Sequence, residues 1–218
     1  MEISELEGKK VPHGEVTLVG AGRLGFRTAL NLMQIHRGGP ERIKVIDGQK
    51  VSADDLIFRL MGAKIGEYKV KFIESLACDG FSRTVQGIPE YITGDNLRLI
   101  GGDVVCVEIA GGDTLPITTE IIRYAQERGA ATISTMGVFG IGEEDVSVVD
   151  IDEADPENPI AAYLQAEGIH EHVLVGTGKL IRDWEPVTPH VLDRVSEVMT
   201  AEILKLLRGA QRLELVPR

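Results

Sequence analysis

The feature that most constrains this chain is the stretch EVTLVGAGRLG, from Glu15 to Gly25. A short apolar run, Glu15 to Val19, reads as a strand. Gly20, Gly22 and Gly25 then follow in GxGxxG spacing and open a segment of helical periodicity. Each glycine answers a physical need. The first permits a tight turn, the second lets backbone N–H groups approach a phosphate, and the third lets a helix pack closely on a strand. A helix N-terminus adds partial positive charge at the same spot. Asp47 stands 22 residues beyond Gly25, after a second strand spanning Ile43 to Ile46 and before the turn-forming Gly48. A carboxylate there can accept hydrogen bonds from a ribose. Strand, loop, helix and acid together predict a nucleotide-binding βαβ unit.

The remaining pattern extends that unit. Arg23 to about His36 reads as a helix, with Leu24, Ala29, Leu30 and Met33 recurring at helical spacing. Tyr68 to Ala77 reads as another helix. Asp103 to Ile109 reads as a buried strand, Pro116 to Arg128 as a helix closed by Gly129, and Ala130 to Ser134 as a strand. Thr188-Pro189 opens the clearest helix, with an apolar stripe from Val191 to Leu207 that suits a core or a dimer interface, stopping near Gly209. Alternating strands and helices predict an α/β fold: a Rossmann-like, doubly wound, mostly parallel sheet with helices on both faces. With no internal repeat or linker, residues 1–212 are expected to form one nucleotide-binding domain. The ending LELVPR, 213–218, reads as an expression-tag remnant.

Charge and composition narrow the function. Lys+Arg 23 against Asp+Glu 34 gives a net charge of −11 in 218 residues, which argues against a broad basic face for nucleic acid. The N-terminus, MEISELEGKK, is not a secretory signal, and no apolar run reaches the ~18 residues of a membrane helix. Two cysteines, Cys78 and Cys106, make neither a disulfide framework nor a cysteine-rich zinc site. A cytoplasmic setting is the expectation. Eight acids between Glu143 and Glu157 read as a solvated loop around a short strand, Val146 to Val149, and His170 and His172 as polar loop residues.

Against this acidic background, one segment reverses sign. Arg59, Lys64, Lys69 and Lys71 face a single acid, Glu67. Local cations of this kind are what a triphosphate needs when it approaches an acidic protein. A nicotinamide-dependent Rossmann dehydrogenase, the competing reading, would want a second domain with a catalytic group and would not need this cluster. A non-catalytic ATP-binding scaffold is the third possibility.

From about Glu15 to Gly209 the sequence resembles the ThiF/MoeB-type adenylating enzymes, relatives of the ubiquitin-activating enzymes. The resemblance is carried by GAGRLG, Asp47, the stretch Val51-Ser52-Ala53-Asp54-Asp55-Leu56, Arg59, and Gly66-Glu67-Tyr68-Lys69. It implies that Gly20, Gly22 and Gly25 hold ATP phosphates, that Asp47 holds the ribose, and that Lys69 and Arg59 act catalytically by neutralising the departing pyrophosphate. It also implies Mg²⁺, with Asp113 as the metal-handling acid and Glu108 as second candidate. Arg23 replaces a loop glycine of the family and can reach a phosphate or face solvent. Asp55 replaces an asparagine, Arg59 sits one residue late, and the zinc-binding CxxC pairs of many relatives are absent. Beyond Thr135 there is no cysteine to capture an acyl group. The implied reaction is therefore activation of a small-molecule carboxylate by ATP, with hand-off to a thiol on a partner protein, by a homodimer. In outline the chain is similar to the HcgE type of ThiF-like proteins of iron–guanylylpyridinol (FeGP) cofactor assembly for [Fe]-hydrogenase in methanogenic archaea. That similarity implies guanylylpyridinol as substrate and HcgF as thiol acceptor.

Overall fold

The computed structural model describes residues 3, 11–77, 83–180 and 185–214, with backbone alone for 211–214. Strand β1 (Glu15–Val19) is followed by helix α1 (Arg23–Met33) and strand β2 (Arg42–Ile46). Two short helices, α2 (Leu56–Leu60) and α3 (Lys69–Ser75), lead to β3 (Thr84–Ile88). Strand β4 (Val104–Val107), helix α4 (Leu115–Gln126) and strand β5 (Ala131–Thr135) continue the alternation. The chain closes with β6 (Ser147–Asp150), α5 (Pro159–Ala166), β7 (His172–Gly176) and α6 (Pro189–Glu214).

The seven strands form one sheet in the order β3-β2-β1-β4-β5-β7-β6. All neighbours are parallel except β6 and β7, so the expected doubly wound architecture is present with one antiparallel edge. Side-chain alternation explains why both faces are covered. Val16, Leu18, Val104 and Cys106 point into a core shared with α1, α3 and α6, whereas Val19, Val105 and Val107 pack with Ile121 and Ala125 of α4 on the other face. Leu174 joins a third cluster with Ala161 and Leu164 of α5. Phe58 anchors α2 by packing its ring, tilted, against Phe26 with centroids 4.2 Å apart, and Phe72 lies beyond. Among the described residues no helix is long and apolar enough to cross a membrane.

Two expectations need correction. Helix α6 does not stop at Gly209 but runs to Glu214, because Ala210 to Glu214 favour helix strongly enough to absorb the ~1 kcal/mol cost of one interior glycine. Its stripe, including Val195, Met199 and Ile203, is buried in the core, the first of the two places expected for it. His172 is no loop residue. It is fully buried at the start of β7, between the hydroxyls of Ser134 and Thr132, each 2.8 Å from a ring nitrogen. Burial holds its pKa down to about 3, so it is a neutral core residue. His170 is exposed and meets Asp152 in the acidic stretch. Cys78 lies outside the described residues, as do 215–218.

Candidate nucleotide site

The sheet order reverses between β1 and β4, and in open α/β sheets the crevice beyond the carboxyl ends of such strands is where ligands bind. A cavity of about 280 Å³ lies there. Its polar wall includes Gly20, Gly22, Asp47 and Gln49, and its apolar wall Tyr91, Ile92, Ile109 and Ile117. The combination suits a flat base joined to a polar sugar and phosphate chain.

The glycine loop has the geometry its sequence demands. Gly20 has φ +106°, and a Cβ there would lie 2.7 Å from the backbone of Glu108 at the end of β4. A Cβ at Gly25 would run into the carbonyl oxygen of Gly20. Gly22 is different: nothing lies within 4 Å of its Cβ position, so the helix start opens onto free space. Gly22 is also the N-cap of α1, with no side-chain cap and no acid in the first turn. The N-terminal N–H groups of α1 are thus left for an anion. Asp47 closes the loop from below. Its carboxylate accepts from the Ala21 N–H at 2.7 Å and from the Gln49 N–H at 2.6 Å, tying the ends of β1 and β2 together.

The cations divide. Lys69, the first residue of α3, is buried. Its ammonium lies 3.0 Å from Asp55 Oδ1 and donates at 2.9 Å to the side-chain oxygen of Gln49, a cavity residue. Arg59 is exposed at the end of α2 and donates to the Ala53 carbonyl at 2.9 Å. Arg23 is also exposed, on the first turn of α1. None of the three cations lines the cavity itself; Lys69 reaches it only through Gln49. Asp113 sits exposed on a 3-10 turn, Gly112–Thr114, and only Thr114 of that turn lines the cavity. Among the described residues no three metal-ligating side chains are gathered together.

Glu108 is the outlier among the acids. It follows β4 directly, is buried, and accepts from the Thr28 hydroxyl at 2.8 Å through one oxygen, while the other oxygen has no partner. Burial pushes its pKa up to about 7, against the smaller opposing effects of the Thr28 hydroxyl and the Cys106 thiol. Glu108 lines the cavity, but its unpartnered oxygen is buried and its carboxyl holds a proton up to about pH 7, which does not suit a magnesium ion that keeps most of its hydration shell. Cys106 is buried too. Burial and then Glu108 push its thiol well above the ordinary range, so it is no nucleophile.

Gln49, Tyr91, Ile92 and Ile117 carried no motif. They come together only because the ends of β2, β3 and β4 meet beside the reversal in strand order. A reader of sequence who extended β3 to its following loop would find Tyr91 and Ile92.

No family model matches the chain. The uncharacterized protein MJ0693 of Methanocaldococcus jannaschii is 47% identical over 208 residues, covering 95% of this chain and 82% of that protein. The chain belongs to the MJ0693 family. Solved structures share its fold at lower identity. E. coli TcdA, a tRNA N6-threonylcarbamoyladenosine dehydratase solved in complex with ATP, is 20% identical with a TM-score of 0.74, over 91% of this chain and 88% of that one. E. coli MccB is 15% identical with a TM-score of 0.59, over 94% of this chain and 58% of that one. TcdA has also been solved with AMP, at a TM-score of 0.73.

Proposed function

We propose that this MJ0693-family protein is an ATP-dependent adenylyltransferase that activates a substrate carboxyl group. The observation that carries the reading is the coincidence, at one cavity, of an uncapped glycine-loop helix, Asp47, and Gln49 with the Lys69 ammonium behind it. Fold similarity to TcdA, solved with ATP and with AMP, supports the same nucleotide.

In this reading the apolar wall of Tyr91, Ile92, Ile109 and Ile117 receives adenine, Asp47 the ribose, and the N–H groups after Gly22 the phosphates. The substrate carboxylate attacks the α-phosphorus. An acyl–oxygen–phosphorus bond forms, the bond to the bridging oxygen breaks, and pyrophosphate leaves with the electron pair. Charge grows on the leaving group, so the Lys69 ammonium, once directed at the phosphates, lowers the barrier more than it strengthens ground-state binding. Arg59, exposed and on a short helix, acts as a second cation from the rim, and Arg23 contributes at the helix start. Mg²⁺ would neutralise phosphate charge when bound. Such an ion would arrive with the triphosphate and keep most of its waters, with Asp113 as one carboxylate contact.

Residues 1–212 are proposed to act as a single domain, with 213–218 an expression remnant. A homodimer is supported by Leu56, Leu60, Met61 and Ile65, apolar side chains exposed on and just after α2. The finer assignment is activation of guanylylpyridinol with transfer to a thiol of HcgF in the cytoplasm. It rests on the overall resemblance to HcgE and on the lack of an available cysteine among the described residues. Pyrophosphate exchange tests the function. Labelled pyrophosphate should enter ATP only when the right carboxylic acid is present; exchange with no acid dependence, or none with any acid while NAD binds, would refute it.

A further inference from the structure

Lys69 is not a free cation. Its ammonium rests on Asp55 at 3.0 Å and on Gln49 Oε1 at 2.9 Å, with the Phe58 ring 5.6 Å away. Its side chain is 7% exposed and that of Asp55 11%. A buried lysine–aspartate pair presents no net charge to the cavity, so a phosphate gains from Lys69 only if Asp55 gives up part of its hold. The other half of Asp55 shows how that can happen without a large cost. Asp55 Oδ2 accepts from both the N–H and the hydroxyl of Ser52, at 2.8 and 2.9 Å. Burial raises the Asp55 carboxyl pKa, but the Ser52 donors and Lys69 outweigh it and hold the group below its usual value. If the ammonium leaves, the carboxylate keeps two donors and is not orphaned. Lysine, a point charge on a flexible four-carbon stem, is suited to swing between two anions. Gln49 bridges the two positions, because its side chain holds Lys69 while its N–H donates to Asp47 in the cavity.

We propose that Asp55, backed by Ser52, is a latch that holds Lys69 in reserve and surrenders it to the phosphate chain of a bound nucleotide. Asp55 is a positioning residue in this scheme and never touches the ligand. The proposal rests on the adenylation reading and adds to it a specific cost: ATP binding pays for breaking the Lys69–Asp55 contact, and adenosine binding does not.

Calorimetric titration with magnesium ATP and, separately, with adenosine tests this on wild type, Asp55→Asn and Ser52→Ala. The latch predicts that D55N binds ATP about tenfold more tightly, because the competing anion is gone, with adenosine affinity unchanged. It predicts the opposite for S52A: weaker ATP binding by several-fold, adenosine again unchanged, because the released carboxylate has lost a donor. Thermal melts establish that each variant is folded. If D55N does not fold, S52A alone decides, since unchanged ATP binding there contradicts the latch. Folded D55N that binds ATP equally or more weakly, with adenosine unaffected, shows that Asp55 merely orients Lys69 and overturns the proposal. Wild-type protein that binds ATP no more tightly than adenosine overturns the nucleotide-phosphate reading itself, and the latch with it.

Discussion

The two ends of the sheet carry cavities of very different size and character. The amino-end cavity is the larger, about 580 Å³, bounded by Gln126, Ala131, Gly168, Lys205 and Leu206. Two of its polar side chains are already engaged: Lys205 pairs with Glu202, and Gln126 donates to Thr132 and to the carbonyl of His170. The carboxyl-end cavity is half that size, yet an uncapped helix start, a loop-tying aspartate and a buried carboxyl with an idle oxygen converge on it. Volume alone would choose the other end. What marks a site is polar capacity left unspent in a place where folding normally spends it.

The sharpest way to break this contrast is to remove one lysine from each end. Lys69→Ala should lower carboxylate-dependent pyrophosphate exchange by about 10²–10³-fold, the usual cost of losing a donor aimed at transition-state charge. Lys205→Ala should leave exchange unchanged. Equal losses would erase the distinction between the two ends.

A second contrast lies between two buried titratable groups, one near each cavity. Glu108, with its pKa raised from 4.5 to about 7, keeps in the folded protein a proton that the unfolded chain has released. Stability should therefore fall as pH rises from about 4.5 and level off above about 7, by about 3 kcal/mol in total. His172 has its pKa lowered from 6.5 to about 3, so the unfolded chain takes up the proton first. Its contribution is present above about 6.5 and is lost as pH falls toward 3. Urea midpoints measured across this range should show the neutral-side decline flattened in Glu108→Gln, while an unaltered slope would mean that Glu108 ionises normally.

The smallest expected effect separates fold from ligand within the glycine loop. Gly22→Ala meets no neighbour, so its melting temperature should match wild type while ATP binding weakens about tenfold, ~1.4 kcal/mol. Gly25→Ala, driven into the Gly20 carbonyl, should instead destabilise the fold. If both lower the melting temperature alike, Gly22 is structural and the loop is no cradle.

Much of the carboxyl end was legible in sequence. GxGxxG after a β-branched run, and Asp47 after the next, place side chains by local geometry, and the structure sets them where that geometry requires. The acid after β4 was harder. Asp113 and Glu108 differ by one turn of irregular chain, and only burial distinguishes the exposed carboxylate from the buried one at the cavity wall. Lys69 was visible as a cation, but its pairing with Asp55 depends on how α2 packs through Phe58, which spacing does not encode. The missed elements β3, β7, α2 and α5 are short, and Gly87 interrupts the apolar pattern of β3 because Val70 packs against the backbone there. His172 was misread because a histidine beside two acids or histidines looks polar until Thr132 and Ser134 arrive from the neighbouring strand.

The central claim is positional, and a crystal structure of the protein with bound ATP tests it most directly. The base should lie against Tyr91, Ile92 and Ile109, with the phosphates over Gly22 and a ribose hydroxyl on Asp47. Density for ATP in the amino-end cavity beside Lys205, or phosphates directed away from the start of α1, would contradict it.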